Sequence, residues 1–141
     1  PMKKIFALTI LIAGLFTAKS SQAQVCDTIA SLCSEHLPAN YISDGQSYRA
    51  LLLNDQVAEF HVTLYGNSIY RIAACSGLED GNLIFSVYDQ DRNLLFTNKD
   101  FKNAPYWDFK ITNTLDCIIE AQLDNEKLSS GCAVLLIGFK K

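Results

Sequence analysis

The sequence has few of the residues and spacings from which most catalytic and metal sites are built. Its 141 residues include only two histidines, His36 and His61, and one tryptophan. There is no C-x-x-C or H-x-x-x-H pair, so the usual ligand spacing of a zinc site is missing. Neither histidine lies near a G-x-S-x-G motif or a similar nucleophile signature. We therefore predict a protein without enzymatic activity, bound metal or cofactor.

Basic residues are also scarce relative to acidic ones. The formal net charge is −3, from 12 Lys and Arg against 15 Asp and Glu. Three of the basic residues and none of the acidic ones lie in residues 1–23, so the rest of the chain carries a formal charge of −6. Nucleic acids and anionic membrane surfaces repel such a chain. We expect no nucleic-acid partner.

The longest apolar run, Ile5 to Phe16, lies near the N-terminus. A transmembrane helix needs about 20 apolar residues, and this run is shorter and ends in a polar stretch. Two lysines precede the run, and Ser21-Gln22-Ala23 follows it with small residues at the −3 and −1 positions of a cleavage site. These features predict a signal peptide over residues 2–23.

The predicted mature chain, residues 24–141, is long enough for one domain with a core of its own. We expect it to be exported to the periplasm or the extracellular space, without insertion into the membrane. A lipid anchor at Cys26 is the weaker alternative. Gln24 and Val25 precede that cysteine where a lipid-attachment site has small residues.

Five cysteines remain in the mature chain, and an exported protein meets conditions in which thiols pair. Within one helix the Cα atoms of Cys26 and Cys33 would be about 10.5 Å apart, too far for a bridge. If the strand that ends at Cys75 runs antiparallel beside the strand that holds Cys117, these two cysteines meet. The sequence then predicts a Cys75–Cys117 bridge and a second bridge from Cys132 to Cys26 or Cys33.

One segment has helical periodicity. Between Asp27 and His36 the apolar positions, continued at Leu37, have helical spacing, and Pro38 ends the pattern. We predict one short N-terminal helix whose buried stripe is Ile29, Leu32, Cys33 and Leu37.

After a turn-rich connection over residues 39–46, the apolar period changes to two, which is typical of strands. About eight strands without an intervening helix predict a mainly β fold, an antiparallel β-sandwich or jelly roll. The core should include Phe60, Val62, Leu83, Phe85, Ile119, Leu135 and Ile137. The predicted strands are Ser47 to Leu53, Gln56 to Tyr65, Ser68 to Cys75, Leu83 to Tyr88, Leu94 to Asn98, Tyr106 to Thr112, Leu115 to Leu123, and Cys132 to Phe139.

Part of the chain resembles a known domain family. The likeness is carried by Tyr70-Arg71-Ile72, by the Leu83 to Leu95 hairpin, by Trp107-Asp108-Phe109 and by the closing Gly131 to Gly138 strand. Over Asn67 to Gly138 the chain resembles the bacterial pre-peptidase C-terminal family of secreted β-sandwich domains. It also resembles small exported proteins of Gram-negative bacteria. The resemblance implies a sandwich fold and export, and it implies no activity.

Asp89, Asp91 and Asn93 have the opening spacing of a calcium loop. Position 6 of that loop is Leu94 instead of Gly, and position 12 is Asp100 instead of Glu, so the motif is incomplete. A hairpin turn explains the Asp and Asn residues better, because both form local backbone hydrogen bonds.

Phe101, Tyr106 and Trp107 flank a turn, where aromatic side chains often bind sugars or peptides. They are our candidate ligand-binding residues, with a protein or carbohydrate as the ligand. Trp107 and Phe109 should face the same side of one strand, which favours a core tryptophan over an exposed platform.

The leading hypothesis is therefore an exported, non-enzymatic β-sandwich module with a binding or accessory role. Two alternatives stay open at this point. One is a structural subunit of a surface complex, and the other is a hydrolase with an unrecognised site near His61 and Glu59.

Overall fold

In the part of the chain that the structure describes, nine strands form two antiparallel sheets that pack face to face, as the alternating pattern predicts. The computed structural model describes residues 22–140. Residues 2–21, which make up most of the predicted signal peptide, lie outside the described residues. The strands are β1 (Ile42–Ser43), β2 (Tyr48–Leu53), β3 (Val57–Leu64), β4 (Ser68–Cys75), β5 (Leu83–Asp89), β6 (Leu94–Thr97), β7 (Tyr106–Ile111), β8 (Leu115–Leu123) and β9 (Ser130–Lys140).

The first sheet has the order β1-β9-β4-β7, with β2 also paired to β9, and the second has the order β3-β8-β5-β6. All eight predicted strands are present. The ninth, β1, lies in the predicted turn region, where Ile42 and Ser43 pair with Phe139 and Gly138. Over residues 22–140 the predicted mainly β sandwich with one short N-terminal helix is confirmed.

The core lies between the sheets. Leu83, Phe85, Ile119, Leu135 and Ile137 are at most 1 % exposed, as predicted. Phe60 and Val62 are only half-buried, although they pack against the core. Both lie on β3, which is an edge strand of the second sheet and is covered less completely than the central strands.

The helix α1 (Gln22–Cys33) continues into a short 3-10 helix (Ser34–His36) and lies on the outer face of the first sheet. Its buried face is Cys26, Ile29 and Cys33, whereas Leu32 is 40 % exposed. The predicted stripe is therefore wrong at Leu32. The prediction began the helix at Asp27, whereas the helix begins at Gln22 and includes Cys26. The two disulfides turn the face with Cys26 and Cys33 toward the sheet, which leaves Leu32 outside.

The disulfides are Cys26–Cys132 and Cys33–Cys75, and Cys117 is a buried free thiol. Of the two partners predicted for Cys132, the structure has Cys26 and not Cys33. The predicted Cys75–Cys117 bridge is wrong. The error comes from the assumed strand order, because β8 pairs with β3 and β5 and not with β4. Cys117 belongs to the inner core, whereas Cys75 faces outward beneath α1.

Candidate functional site

Four connections meet at one end of the sandwich, and we call this end the loop end. They are residues 54–56, 76–82, 98–105 and 124–129. Their grouping follows from strand register, because Cys75 pairs with Val134 and Leu83 pairs with Leu123. Loops at the end of a rigid sandwich are a common place for binding residues.

The base of the loop over residues 76–82 is fixed by buried side chains. The hydroxyl of Ser76, which is fully buried, donates to the carbonyl of Cys132 across 2.8 Å. The amide of Asn82 donates to the carbonyls of Ser76 at 2.9 Å and Glu79 at 3.1 Å. The Cys33–Cys75 bridge anchors the residue that precedes the loop. Ser76 thus ties the start of the loop to β9, Asn82 ties the end of the loop to its start, and the disulfide ties the preceding strand to α1.

Glycines and a neighbouring connection complete this arrangement. Gly77 and Gly81 have positive φ angles of 71° and 91°, which residues with a Cβ atom rarely adopt. The carbonyl of Gly81 accepts hydrogen bonds from Lys127 Nζ at 3.0 Å and Asn103 Nδ2 at 3.1 Å. Lys127 and Asn103 therefore hold the backbone of the loop at Gly81 as well, which favours a single conformation.

The tip of the loop is exposed in spite of this bracing. Leu78 is 79 % exposed, the most exposed large apolar side chain among the described residues. Glu79 and Asp80 follow it and are also exposed. A depression of about 500 Å³ lies between the tip and the connection that holds Lys127 and Leu128. The tip presents an apolar side chain beside two carboxylates.

His36 and Arg71 link this loop to the outer face of the first sheet. His36 Nε2 lies 2.9 Å from Asp80 Oδ1. Arg71 donates to both carboxylate oxygens of Asp108, at 2.8 Å and 3.0 Å, and to the carbonyl of His36 at 3.2 Å. These hydrogen bonds lower the pKa of Asp108 below its ordinary value.

The three predicted ligand-binding aromatics are divided between two surfaces. Tyr106 faces outward, where the carbon of the Arg71 guanidinium lies 4.2 Å from its ring centroid. Phe101 and Trp107 lie on the other side of β7, with ring centroids 4.3 Å apart, and both contact Phe96. Trp107 is half-buried against the core, as expected, and Phe101 is 46 % exposed. Their role in ligand binding stays a prediction.

Asp89, Asp91 and Asn93, which have the opening spacing of a calcium loop, lie at the hairpin turn between β5 and β6. Asp89 accepts hydrogen bonds from the backbone and side-chain nitrogens of Asn93, at 2.8 Å and 2.9 Å. These bonds lower the pKa of Asp89. Both of its carboxylate oxygens are engaged within the turn, and Asp91 is exposed.

His61 lies in a network of charges on the outer face of the second sheet. Its Nε2 is 3.3 Å from Glu59, whose other carboxylate oxygen accepts a hydrogen bond from Arg92. Arg92 also donates to Glu120 at 3.2 Å. The His61 side chain is 67 % exposed. In residues 25–140 it forms a hydrogen bond with Glu59 alone, so it is not paired with a serine or cysteine nucleophile. The arrangement is that of a surface ion-pair network.

One cluster was missed from the sequence. His36, Cys75 and Asp80 place potential metal-ligand atoms within 4.8 Å of one another, next to Cys33. The spacing Cys33-x-x-His36 places His36 about one helical turn after the cysteine that is bonded to Cys75, and this was a usable signal. The contacts with Cys75 and Asp80 are long-range and could not be read from it.

The described residues include no helix with the length and apolar character needed to span a membrane. The two disulfides favour an exported protein, because cytosolic reductants keep most thiols reduced.

Comparison with solved structures found a similar fold in PliG of Aeromonas hydrophila, a periplasmic lysozyme inhibitor of g-type lysozyme. The two chains share a fold. The TM-score is 0.53 over 73 % of this chain and 90 % of that chain, with 7 % sequence identity. No protein-family model and no curated protein sequence matches the chain. At this identity the likeness extends to the β-sandwich and not to a partner.

Proposed function

We propose that this chain is an exported, non-enzymatic module that binds a protein partner through the loop end. The observation that carries the proposal is the exposed Leu78 at the tip of a loop with a fixed base. A binding loop that is already ordered loses little conformational entropy when it binds, which raises affinity. Export is supported by the two disulfides and by the sequence pattern of residues 2–23.

The chemistry of the tip favours a cationic partner with an apolar recess. Leu78 would fill the recess, while Glu79 and Asp80 would lie against basic side chains at its rim. The acidic character of residues 24–141 supports this choice, since complementary charge accelerates association and disfavours wrong partners.

A lysozyme is the first partner to test. The fold is shared with an inhibitor of g-type lysozyme. A loop with an exposed apolar tip and a fixed base is suited to enter the cleft of a glycosidase, and the loop over residues 76–82 has both features. A second candidate ligand is a glycan at Phe101 and Trp107, because part of the Phe101 side chain is exposed beside the indole ring.

Binding and inhibition should be measured with a panel of purified lysozymes of the g type and of other types. The oxidised protein is immobilised, and each lysozyme is tested by biolayer interferometry and by residual activity on cell walls. We expect one class to bind and to be inhibited at an equimolar ratio, with affinity that falls as salt is added. Saturable binding of cell-wall fragments with no lysozyme bound would favour the glycan candidate instead.

A further inference from the structure

A cavity of about 380 Å³ opens at the end of the sandwich opposite the loop end. It lies between the two sheets, beside the end of β3 and the start of β4. Its apolar lining is formed by Val62, Ile137, Phe139 and the ring of Tyr70, which belong to the inner core or pack against it. Sites for small molecules have volumes of about 300 to 1,000 Å³ and a mainly apolar lining. The cavity has the size and character of such a site.

Asp44 supplies a carboxylate to the lining, and three hydrogen bonds hold this residue in place. Its backbone N–H donates to the carbonyl of Ile137 at 3.0 Å. Its carboxylate accepts hydrogen bonds from the hydroxyl of Tyr48 and from the backbone N–H of Gln46, each at 2.9 Å. A carboxylate can accept about four hydrogen bonds, so these two leave room for another donor. In residues 25–140 no ion pair includes Asp44, so no cation of the protein balances its charge.

The hydroxyl of Tyr70 is a second polar group in the lining with unused hydrogen-bonding capacity. Tyr70 is 4 % exposed, and its hydroxyl oxygen accepts a hydrogen bond from the backbone N–H of Tyr65 at 3.0 Å. A tyrosine hydroxyl also has a proton to donate. Among the side chains and backbone groups of residues 25–140, that proton has no acceptor. Because a buried donor without an acceptor is costly, a ligand oxygen that accepts this proton would be bound favourably.

We propose that this cavity binds a small organic cation that has an apolar body, an ammonium group and an oxygen acceptor. The apolar body fills the space between the sheets, the ammonium group donates to Asp44, and the oxygen accepts the proton of Tyr70. The formal charge of −6 on residues 24–141 attracts cations, and the aromatic rings of Tyr65 and Phe139 in the lining add to this attraction. The cavity lies away from the loop end, so this inference is independent of the proposed protein partner.

Three matched probes test the parts of this proposal by amide NMR on the oxidised exported protein. Phenylalaninol has a phenyl ring, an ammonium group and a hydroxyl, the straight-chain primary alcohol phenylpropanol lacks the ammonium group, and phenethylamine lacks the hydroxymethyl group. We expect phenylalaninol to cause saturable shifts centred on residues 44–46, 65–70 and 137–139. It should bind about fivefold or more tightly than phenylpropanol, because hydrogen bonds to charged groups contribute about twice as much as neutral ones. It should bind about twofold or more tightly than phenethylamine, which leaves Tyr70 without an acceptor.

Asp44→Asn removes the charge and keeps the size of the side chain. It should weaken the binding of phenylalaninol by about fivefold or more, to the affinity of phenylpropanol. Asp91→Asn is the matched control, because Asp91 is an exposed carboxylate on the β5–β6 hairpin, at the edge of the second sheet opposite β3. This control should bind phenylalaninol like wild type. An equal loss of affinity in both variants, or no loss in Asp44→Asn, would overturn the proposal.

Ser68→Phe tests whether the space between the sheets is what holds the ligand. Ser68 is half-buried and lines the cavity, so a larger side chain there should fill the space and abolish the binding of phenylalaninol. A Tm near that of wild type shows that this variant is folded, and Asp44→Asn supplies the test if it is not. Amide shifts centred elsewhere on the protein, equal affinities for phenylalaninol and either analogue, or no saturable binding of phenylalaninol would contradict the inference.

Discussion

The side chain of Asn98 accepts a hydrogen bond from the backbone N–H of Phe85 across 2.9 Å, and both residues are fully buried. The amide nitrogen of Asn98 donates to the carbonyls of Leu83 at 3.0 Å and Ala104 at 3.1 Å. One side chain thus joins the connection over residues 98–105 to the start of β5. Three backbone groups depend on it.

Replacement of Asn98 by Ala should leave these three groups without partners and lower the free energy of unfolding by about 2 to 4 kcal/mol. Urea unfolding monitored by tryptophan fluorescence measures the change. Asn113→Ala is the matched control, since Asn113 is exposed on the connection after β7 and should change stability by less than about 0.5 kcal/mol. A similar small loss in both variants would show that the Asn98 network contributes little.

The free thiol of Cys117 should be unreactive in the native protein. Burial raises its pKa to about 11, and its side chain is 2 % exposed. At pH 8 only about one thiol in a thousand would be ionised, and the thiolate is the reactive form. A thiol reagent should label one cysteine in denaturant and none in the native state. Cys117→Ser should remove that signal, and rapid native labelling would contradict the buried position.

Peptide mapping of the oxidised protein under non-reducing conditions should recover links between Cys26 and Cys132 and between Cys33 and Cys75. Removing either bridge by paired Cys→Ala substitutions should cost about 2 to 5 kcal/mol, because each closes a long loop of the unfolded chain. The C33A/C75A variant should also lose protection from amide exchange in residues 76–82, whereas C26A/C132A should keep it. A peptide that links Cys75 to Cys117 would refute the arrangement of the sheets.

The ion pair of Arg71 and Asp108 should make the stability of the protein fall at acid pH. The folded-state pKa of Asp108 lies below its ordinary value of 3.8 because Arg71 donates hydrogen bonds to it. Because the pKa is lower in the folded state, the contribution of Asp108 to the free energy of unfolding is fully present above its unfolded-state pKa. That contribution is lost as the pH falls through the folded-state pKa. The Tm difference between wild type and Asp108→Asn should be constant from pH 7 to 5 and shrink below 3.8. A Tm difference that grows as the pH falls would contradict a lowered folded-state pKa of Asp108.

The alternation of apolar residues was enough to predict the strands and the inward residues such as Phe85 and Leu135. It predicts which face a residue occupies and does not predict which strands are neighbours. For that reason Cys75 and Cys117 were paired wrongly, although both were correctly assigned to strands. In the same way, helical spacing placed Leu32 on the buried stripe and left out Cys26, because the position of α1 on the sheet depends on disulfides that spacing does not reveal.

The loop end was predictable as a set of turns and not as a site. The glycines at 77 and 81 indicate a turn, but the support from Ser76 and Asn82 depends on atoms distant in sequence. The aromatic candidates were found because they are conspicuous in the sequence. Their division between two surfaces follows from strand alternation at Tyr106 and Trp107 once β7 is placed at the edge of its sheet.

The central claim, that the loop end binds a protein partner, is tested most directly by the affinity of two matched variants for the lysozyme that the panel identifies. Leu78→Asp changes the tip of the loop, and Leu94→Asp changes an exposed leucine at the opposite end of the sandwich. Both are surface substitutions and should leave the Tm near that of wild type. We predict that Leu78→Asp weakens binding by about tenfold or more, equivalent to about 1.4 kcal/mol or more, while Leu94→Asp binds like wild type. Equal affinity of the two variants, or a panel in which no lysozyme binds, would contradict the account.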